Sequence, residues 1–249
     1  MSAFLGQSIY CKQDMVGWLL EGIVNNFPTD TELVFYFEVC TDLSIENFDR
    51  LAPTVLKDYR WSKYAGDRHI LEHGAHRFFI ERFMESPHDV LVVPQDDTKF
   101  LRPCLNETQQ VINTYGDRLG FIGCRDGYDF GHANFVSSCF SDSDLAKNKL
   151  PHGQHAPRRM LNTGPNIYTK NVVNKIGLPD PDLQWCNFDD YCLRAEQAGL
   201  TNVLLSLDVE HRKFGQFQFN HDLYNPQQVA GDLQKFRNKW RAVYGQNPL

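Results

Sequence analysis

The sequence predicts an α/β fold with a largely parallel central sheet flanked by helices, formed as a single domain. Three observations point to it. Strand-like and helix-like apolar patterns alternate through the first half of the chain. The runs "ELVFYFEVC" and "DVLVVP" are nearly continuous in apolar residues, as in strands covered on both faces. The second of these runs directly into Gln95, Asp96 and Asp97, where a parallel sheet presents its ligand-binding edge.

Each element follows from its local pattern. "FLGQSIYC" reads as a first strand, and "DMVGWLLEGIVNNF" carries Met15, Trp18, Leu19, Ile23 and Val24 at helical spacing. After the strand "ELVFYFEVC", the stretch "TDLSIENFDRLAPTVL" opens with helix-capping residues, and "HILEHGAHRFFIERFMES" is a second amphipathic helix. The strand "DVLVVP", the helix "LNETQQVINTY" and the strand "LGFIGC" complete a β-α-β-α-α-β-α-β order, which implies parallel pairing. Residues 125–164 are rich in Gly, Ser, Asp, His and Pro, with weak periodicity; a segment of that length reads as a functional or mobile loop. Beyond it come a strand "NIYT", a helix over 170–176, an acidic loop, the helix "DDYCLRAEQAG" and the strand "NVLLSLDV". A final helix carries Val229, Leu233, Phe236 and Trp240 on one face. No internal repeat or linker interrupts the 249 residues.

Composition narrows the function. With 42% hydrophobic and 22% charged residues the chain is globular, and its net charge of −6 points away from a nucleic-acid polymer as partner, although a nucleic-acid acceptor stays possible. The start of the chain shows no signal-peptide pattern and no apolar run approaches the length of a membrane span, so a cytoplasmic protein without membrane insertion is expected. The seven cysteines are scattered and include no CxxC pair, so neither a disulfide framework nor a thiolate zinc site is predicted. His152 and His155 in "PHGQHAPRR" have no further ligands at metal-site spacing, and read as part of an exposed loop.

The chemistry concentrates at strand ends. Asp96 and Asp97 either cap the following element or, as hard oxygen donors relieved of mutual repulsion, bind Mg²⁺ or Mn²⁺ together with substrate phosphates. Glu38 and Asp42 in "FYFEVCTDLS" end another strand, within reach of a nucleoside, and His211 in "LDVEHRKF" follows the last one, where an imidazole suits a third metal ligand.

In these features the chain resembles GT-A glycosyltransferases of the family-two type, whose sheet is Rossmann-like. The likeness rests on "FEVCTDLS" at the end of the second strand, "VPQDD" in place of an LDxDD motif, and "GLPDPDLQWCNFDDYCLRAEQAG" in place of an acidic GxFDE…EDxDLCLR…AG block. It continues in His211 after the next strand and in "FRNKW" near the C-terminus. It spans nearly the whole chain in order. Pro94 stands where the first carboxylate of the metal motif is usual, and Val39 and Cys40 replace small residues of the nucleoside turn.

The resemblance implies an inverting sugar transfer from a nucleotide sugar, UDP-linked by preference, to an acceptor hydroxyl such as a saccharide's. Asp96 and His211 would hold the metal, with Asp97 auxiliary. Glu38, Asp42, Arg77, Asp180 and Arg212 would contact the donor. Asp189 or Asp190 would be the general base, the register of the block leaving both open. Residues 1–124 would form the donor half and 125–249 the acceptor and catalytic half, with Tyr128, Phe130, His132, Phe135 and Phe140 available to an acceptor ring. A non-catalytic module on the same fold is the alternative from another class, and a sugar-phosphate nucleotidylyltransferase the nearest enzyme alternative, although "SAFLGQSIYCKQD" lacks the latter's basic glycine-rich loop. A metal-dependent phosphoesterase lacks the required array of histidines.

Overall fold

The structure, a computed structural model, describes residues 1–124, 150–162, 164–212 and 225–245. Its core is an eight-stranded sheet in the order β3-β2-β1-β4-β8-β6-β9-β7. The strands are β1 (Ala3–Ile9), β2 (Glu32–Phe37), β3 (Arg60–Ala65), β4 (Val90–Val93), β6 (Leu119–Gly123), β7 (His155–Pro157), β8 (Asn166–Thr169) and β9 (Thr201–Leu205). Six run in one direction. β8 lies antiparallel between β4 and β6, and β7 lies antiparallel at the far edge beside β9. The sheet is therefore mixed but mostly parallel, as the alternating pattern predicts.

Strand alternation divides the core into two layers. Leu5, Leu33, Phe35, Val92, Ile122 and Val203 face a cluster containing residues of α1 (Val16–Asn26), α2 (Ser44–Val55) and α4 (Leu105–Tyr115). Phe4, Val34, Leu91, Phe121 and Leu204 face the opposite side, where α3 (Leu71–Glu85), α5 (Lys170–Ile176), α6 (Asn187–Gln197) and α7 (Pro226–Tyr244) pack. Both faces of the central strands are thus covered, which explains why their sequences read as unbroken apolar runs.

Sheet and helix layer approach each other tightly at Gly6 of β1, where an added Cβ would stand 2.3 Å from the Phe79 ring of α3. Phe79 is fully buried, so the ring has nowhere to retreat. Gly6→Ala is expected to lower stability by about 1–3 kcal/mol through overpacking, measured by urea unfolding. A change below the error of that measurement would show that the layers can part.

Four strands depart from the sequence reading. β3 has the polar sequence "RWSKYA" and was hidden inside an expected helix-helix connection; it is an exposed edge strand, and edge strands carry charges that oppose further pairing. The expected single strand "NVLLSLDV" is two. Between them Ser206 leaves the sheet: its N–H donates to the Gln154 carbonyl (2.9 Å) and its hydroxyl to the Leu150 carbonyl (2.6 Å). The chain then forms β10 (Val209–His211), which pairs antiparallel with β5 (Thr98–Phe100) in a separate ribbon. The fourth is β7, which falls within the stretch read as loop. His152 there is braced rather than exposed, its Nδ1 accepting the Asp208 N–H at 3.0 Å and its Nε2 lying 3.4 Å from Glu107. The acceptor-loop residues Tyr128, Phe130, His132, Phe135 and Phe140 lie outside the described residues.

Candidate functional site

A cavity of about 190 Å³ opens at the C-terminal ends of β1, β2 and β4. Ser8 and Tyr10 line it from β1, Glu38 from β2, Pro94 to Asp97 from β4, and Leu71, Glu72 and His76 from the first turns of α3. This is the crevice that an open parallel sheet offers a ligand. The acidic pair anticipated from the sequence is in its wall.

The two carboxylates are held differently. Asp96 accepts the Tyr10 N–H at 3.1 Å and lies 3.5 Å from the Lys12 ammonium, a side chain only 7% exposed. Burial pushes the Asp96 carboxyl up to about 6; Lys12 and the Tyr10 N–H oppose this, and the Asp97 charge adds to it. Asp97 lies against His211, Oδ2 to Nε2 at 3.2 Å, while its Oδ1 is buried with no hydrogen-bond partner. The β5–β10 ribbon creates this pair, since His211 is in register with Thr98, the residue after Asp97. The Arg212 N–H donating to the Asp97 carbonyl at 3.0 Å extends the same pairing by one residue. The ribbon is docked on α1 by Trp18 Nε1 donating to Glu210 (3.3 Å) and by the Lys99–Glu21 ion pair (2.6 Å).

At the opposite wall, Glu38 is nearly buried and accepts the Leu71 N–H at 3.3 Å, with His69 Nδ1 also at 3.3 Å. Leu71 has φ +56°, a left-handed conformation that costs a non-glycine residue roughly 1–2 kcal/mol. The carboxylate thus holds a strained turn that opens α3 onto the cavity. His76, farther along that helix, is fully buried; burial and then the neighbouring His73 push it down to about 3, so it is neutral at physiological pH. Its Nδ1 and the Tyr168 hydroxyl share a hydrogen bond of 2.8 Å, and its ring meets Phe188 of α6 edge-on at a centroid distance of 5.0 Å. His76 therefore connects the cavity to the first turn of α6.

That turn carries Asp189 and Asp190, and the two have opposite surroundings. Asp190 is fully buried; its Oδ2 accepts Arg194 Nε (2.9 Å), and its Oδ1 accepts Trp240 Nε1 (3.0 Å) and the Lys239 ammonium (2.7 Å). Asp189 has no side-chain hydrogen bond among the described residues, and burial followed by the Asp190 charge pushes it up to about 7. α7 holds this turn from two directions. Besides Lys239 and Trp240, its Asp232 accepts the backbone N–H groups of Gln184, Trp185 and Cys186 at 2.8–3.1 Å, fixing the loop that enters α6. A carboxylate on three successive amides is a strong anchor.

The remaining anticipated residues lie apart from the cavity. Arg77 pairs with Glu81 (3.2 Å) and donates to the Pro179 carbonyl (3.4 Å). Arg212 turns its guanidinium over Trp18, 4.4 Å from the ring centroid, and pairs with Glu210. Asp42 staples two chain segments, accepting the Gln13 N–H (3.0 Å) and Ser44 N–H (3.1 Å). Asp180 pairs with Lys239 at 2.6 Å; burial raises its carboxyl, but Lys239 and the Asp182 N–H outweigh this and leave it lowered. Residues that the sequence did not flag are Lys12, Asp232 and Asn166. Asn166 begins β8 beside Val93 and is fully buried with both amide atoms unpartnered, so it offers a donor and an acceptor near the end of β4. Only the fold brings it there, because β8 enters the sheet out of chain order.

No protein-family model and no curated protein matches the sequence. Solved structures do match. The mannosyltransferase PcManGT from Pyrobaculum calidifontis, in complex with GDP-Man and Mn²⁺, superposes with a TM-score of 0.64 at 12% identity over 99% of this chain and 65% of its own. TarS 1–349 of S. aureus, in complex with UDP-GlcNAc, gives 0.67 at 11% over 97% and 67%. GalNAc-T7 with UDP, GalNAc and Mn²⁺ gives 0.69 at 15% over 98% and 48%. The chain therefore spans about half to two thirds of the length of these proteins. At such identities the likeness establishes the fold, the mixed α/β architecture with a large, mostly parallel sheet that these glycosyltransferases share. Among the described residues no helix is long and apolar enough to cross a membrane.

Proposed function

We propose that this chain transfers a sugar from a nucleotide sugar, UDP-linked by preference, to an acceptor hydroxyl with inversion, using Mn²⁺ or Mg²⁺. The observation that carries this reading is Asp97 in the wall of the strand-end cavity, paired with His211 and with one buried carboxylate oxygen left without a partner among the described residues. A carboxylate and an imidazole in contact are donors suited to such a cation. Asp97 and His211 would hold it, with Asp96 beside them; the metal would supply charge neutralisation for the departing nucleoside diphosphate.

The protein's own groups account for the rest. Lys12, buried against Asp96, places a fixed positive charge beside the phosphate end of the cavity. Glu38 and the Leu71 turn shape the nucleoside end. Asp189, without a side-chain hydrogen bond among the described residues, takes the acceptor's hydroxyl proton as the general base at the start of α6, and Asp190 holds the helix in place. Residues 1–124 supply most of the donor cavity, and the later half supplies His211 and the base. The reading extends to a saccharide acceptor in a cytoplasmic setting.

The test is donor turnover and thermal shift with UDP- and GDP-sugars, with and without Mn²⁺. Binding should raise the melting temperature in a metal-dependent way, EDTA should abolish nucleotide release, and added Mn²⁺ should restore it. In Asp97→Asn the Mn²⁺ needed for half-maximal activity should rise by at least about 100-fold, since even groups that only support a ligand are worth 10–100-fold. Absence of nucleotide-sugar binding in the presence of Mn²⁺ overturns the reading. Turnover that resists EDTA but vanishes in Lys12→Met would transfer the metal's role to Lys12.

A further inference from the structure

Next to the donor cavity, on the outer side of the β1 and β2 ends, the fold gathers Cys11, Cys40 and Asp42. One potential ligand atom from each lies within 4.8 Å of the others. Cys11 follows β1 and Cys40 follows β2, neighbouring parallel strands that pair up to Ile9 and Phe37. Twenty-nine positions separate the two thiols in the chain, which is why the absence of a CxxC motif concealed them.

We propose that Cys11, Cys40 and Asp42 form a binding site for a thiophilic divalent cation of the Zn²⁺ class, separate from the oxygen-rich site at Asp97. The distances suit such an ion. Two Zn–S bonds of about 2.3 Å at a tetrahedral angle place the sulfurs roughly 3.8 Å apart, and a carboxylate oxygen at about 2.0 Å completes three corners. Both cysteines are free thiols and partly exposed, so an ion has access from solvent.

The surroundings are arranged for the same purpose. The Cys11 N–H points at Cys40 Sγ at 3.4 Å, a contact that favours the thiolate. Cys11 itself adopts φ +50°, a left-handed conformation unusual for a residue with a side chain. Asp42 is immobilised by the Gln13 and Ser44 amides, so its carboxylate is pre-oriented. The Thr41 hydroxyl, 3.7 Å from Cys11 Sγ, stands close enough to bear on the fourth position, which a water can otherwise fill. Softness separates the two sites, because thiolates select Zn²⁺-class ions while carboxylate and water favour Mn²⁺ and Mg²⁺. Tyr10, next to Cys11, and Glu38, two residues before Cys40, line the donor cavity, so an ion here would tie two of its walls together.

The test is titration of the reduced full-length protein with Co²⁺ as a spectroscopic probe. One Co²⁺ per chain should produce a near-ultraviolet sulfur-to-cobalt charge-transfer band that Zn²⁺ bleaches. The band should vanish in Cys11→Ser and in Cys40→Ser, weaken at least tenfold in apparent affinity in Asp42→Asn, and survive in Asp97→Asn. Zn²⁺ should also slow alkylation of Cys11 and Cys40 in the wild-type chain, read by peptide mass spectrometry, which needs no variant to fold. Absence of the band in the wild type, its persistence in the Cys11→Ser/Cys40→Ser double variant, or unchanged alkylation with Zn²⁺ each overturns the assignment. Loss of the band in Asp97→Asn would place the ion in the donor site instead.

Discussion

Asp189→Asn is expected to lower the rate of sugar transfer by about 10²–10⁴-fold, the range a positioned general base contributes. Donor binding should change little, because the residue lies on α6 and not among the groups lining the donor cavity. The pH profile of the wild type provides an independent readout. The carboxyl is pushed up to about 7 by burial and by Asp190, and only its ionised form accepts a proton, so the rate should rise through pH 7 and level off above it. Stability runs the other way. A carboxyl whose folded pKa is raised loses stability as pH climbs from the unfolded value near 4 through about 7. Asparagine removes that penalty, so the variant should melt at or above the wild-type temperature at pH 8 while being nearly inactive. An inactive protein with unimpaired stability marks a chemical role. A wild-type rate in Asp189→Asn, or a flat profile between pH 6 and 8, would remove Asp189 from the mechanism.

Its neighbour should respond in the opposite sense. Asp190→Ala is expected to cost about 3 kcal/mol of unfolding free energy, because it removes the buried anion shared by Arg194, Lys239 and Trp240. Arg194 can keep its bonds to the Ile176 and Leu178 carbonyls, and Lys239 is partly open to water, which holds the loss toward the low end of the range for broken buried pairs. The fluorescence of Trp240, normally fully buried, should report the loosening of α7 from α6. Urea unfolding followed by that signal measures both effects. A change below about 0.5 kcal/mol, the range of an ordinary surface substitution, would mean that the hydrogen bonds to Asp190 are incidental. The contrast between adjacent aspartates bears on the ambiguous register of the acidic block in physical terms: the packing contacts of Asp190 are what favour Asp189 as the base proposed above.

The chain's central layout was legible because fully covered strands must be apolar, as in "ELVFYF" and "VLVV", and because helices that bury one face must repeat every three to four residues. The acidic pair was legible because it ends an apolar run, at the edge where a parallel sheet presents its ligands. "FRNKW" attracted notice only through resemblance, and its reason is now physical: Lys239 and Trp240 both hold Asp190. Other features were illegible for definite reasons. An edge strand such as β3 needs no apolar run. Short ribbon strands such as β5 and β10 are shorter than any periodicity can register. The charges of Asp42, Asp180, Arg77 and Arg212 were legible, but not the contacts the fold gives them: the Gln13 amide for Asp42, Lys239 for Asp180, the Pro179 carbonyl for Arg77 and Glu210 for Arg212. Lys12 and Asp232 gain their importance from contacts across 84 and 46–48 positions, distances no local pattern encodes.

The insertion of β8 between β4 and β6 has a consequence for biosynthesis. β4 and β6 are translated well before Asn166–Thr169 emerges to join them, so β4 must wait with bare amide and carbonyl groups along one flank, and β6 along both, since β9 follows later still. A nascent chain in that interval presents these adhesive borders to its neighbours on the polysome. The sheet therefore closes only after β8 and then β9 have been made, and until then translation leaves these borders open to misassembly.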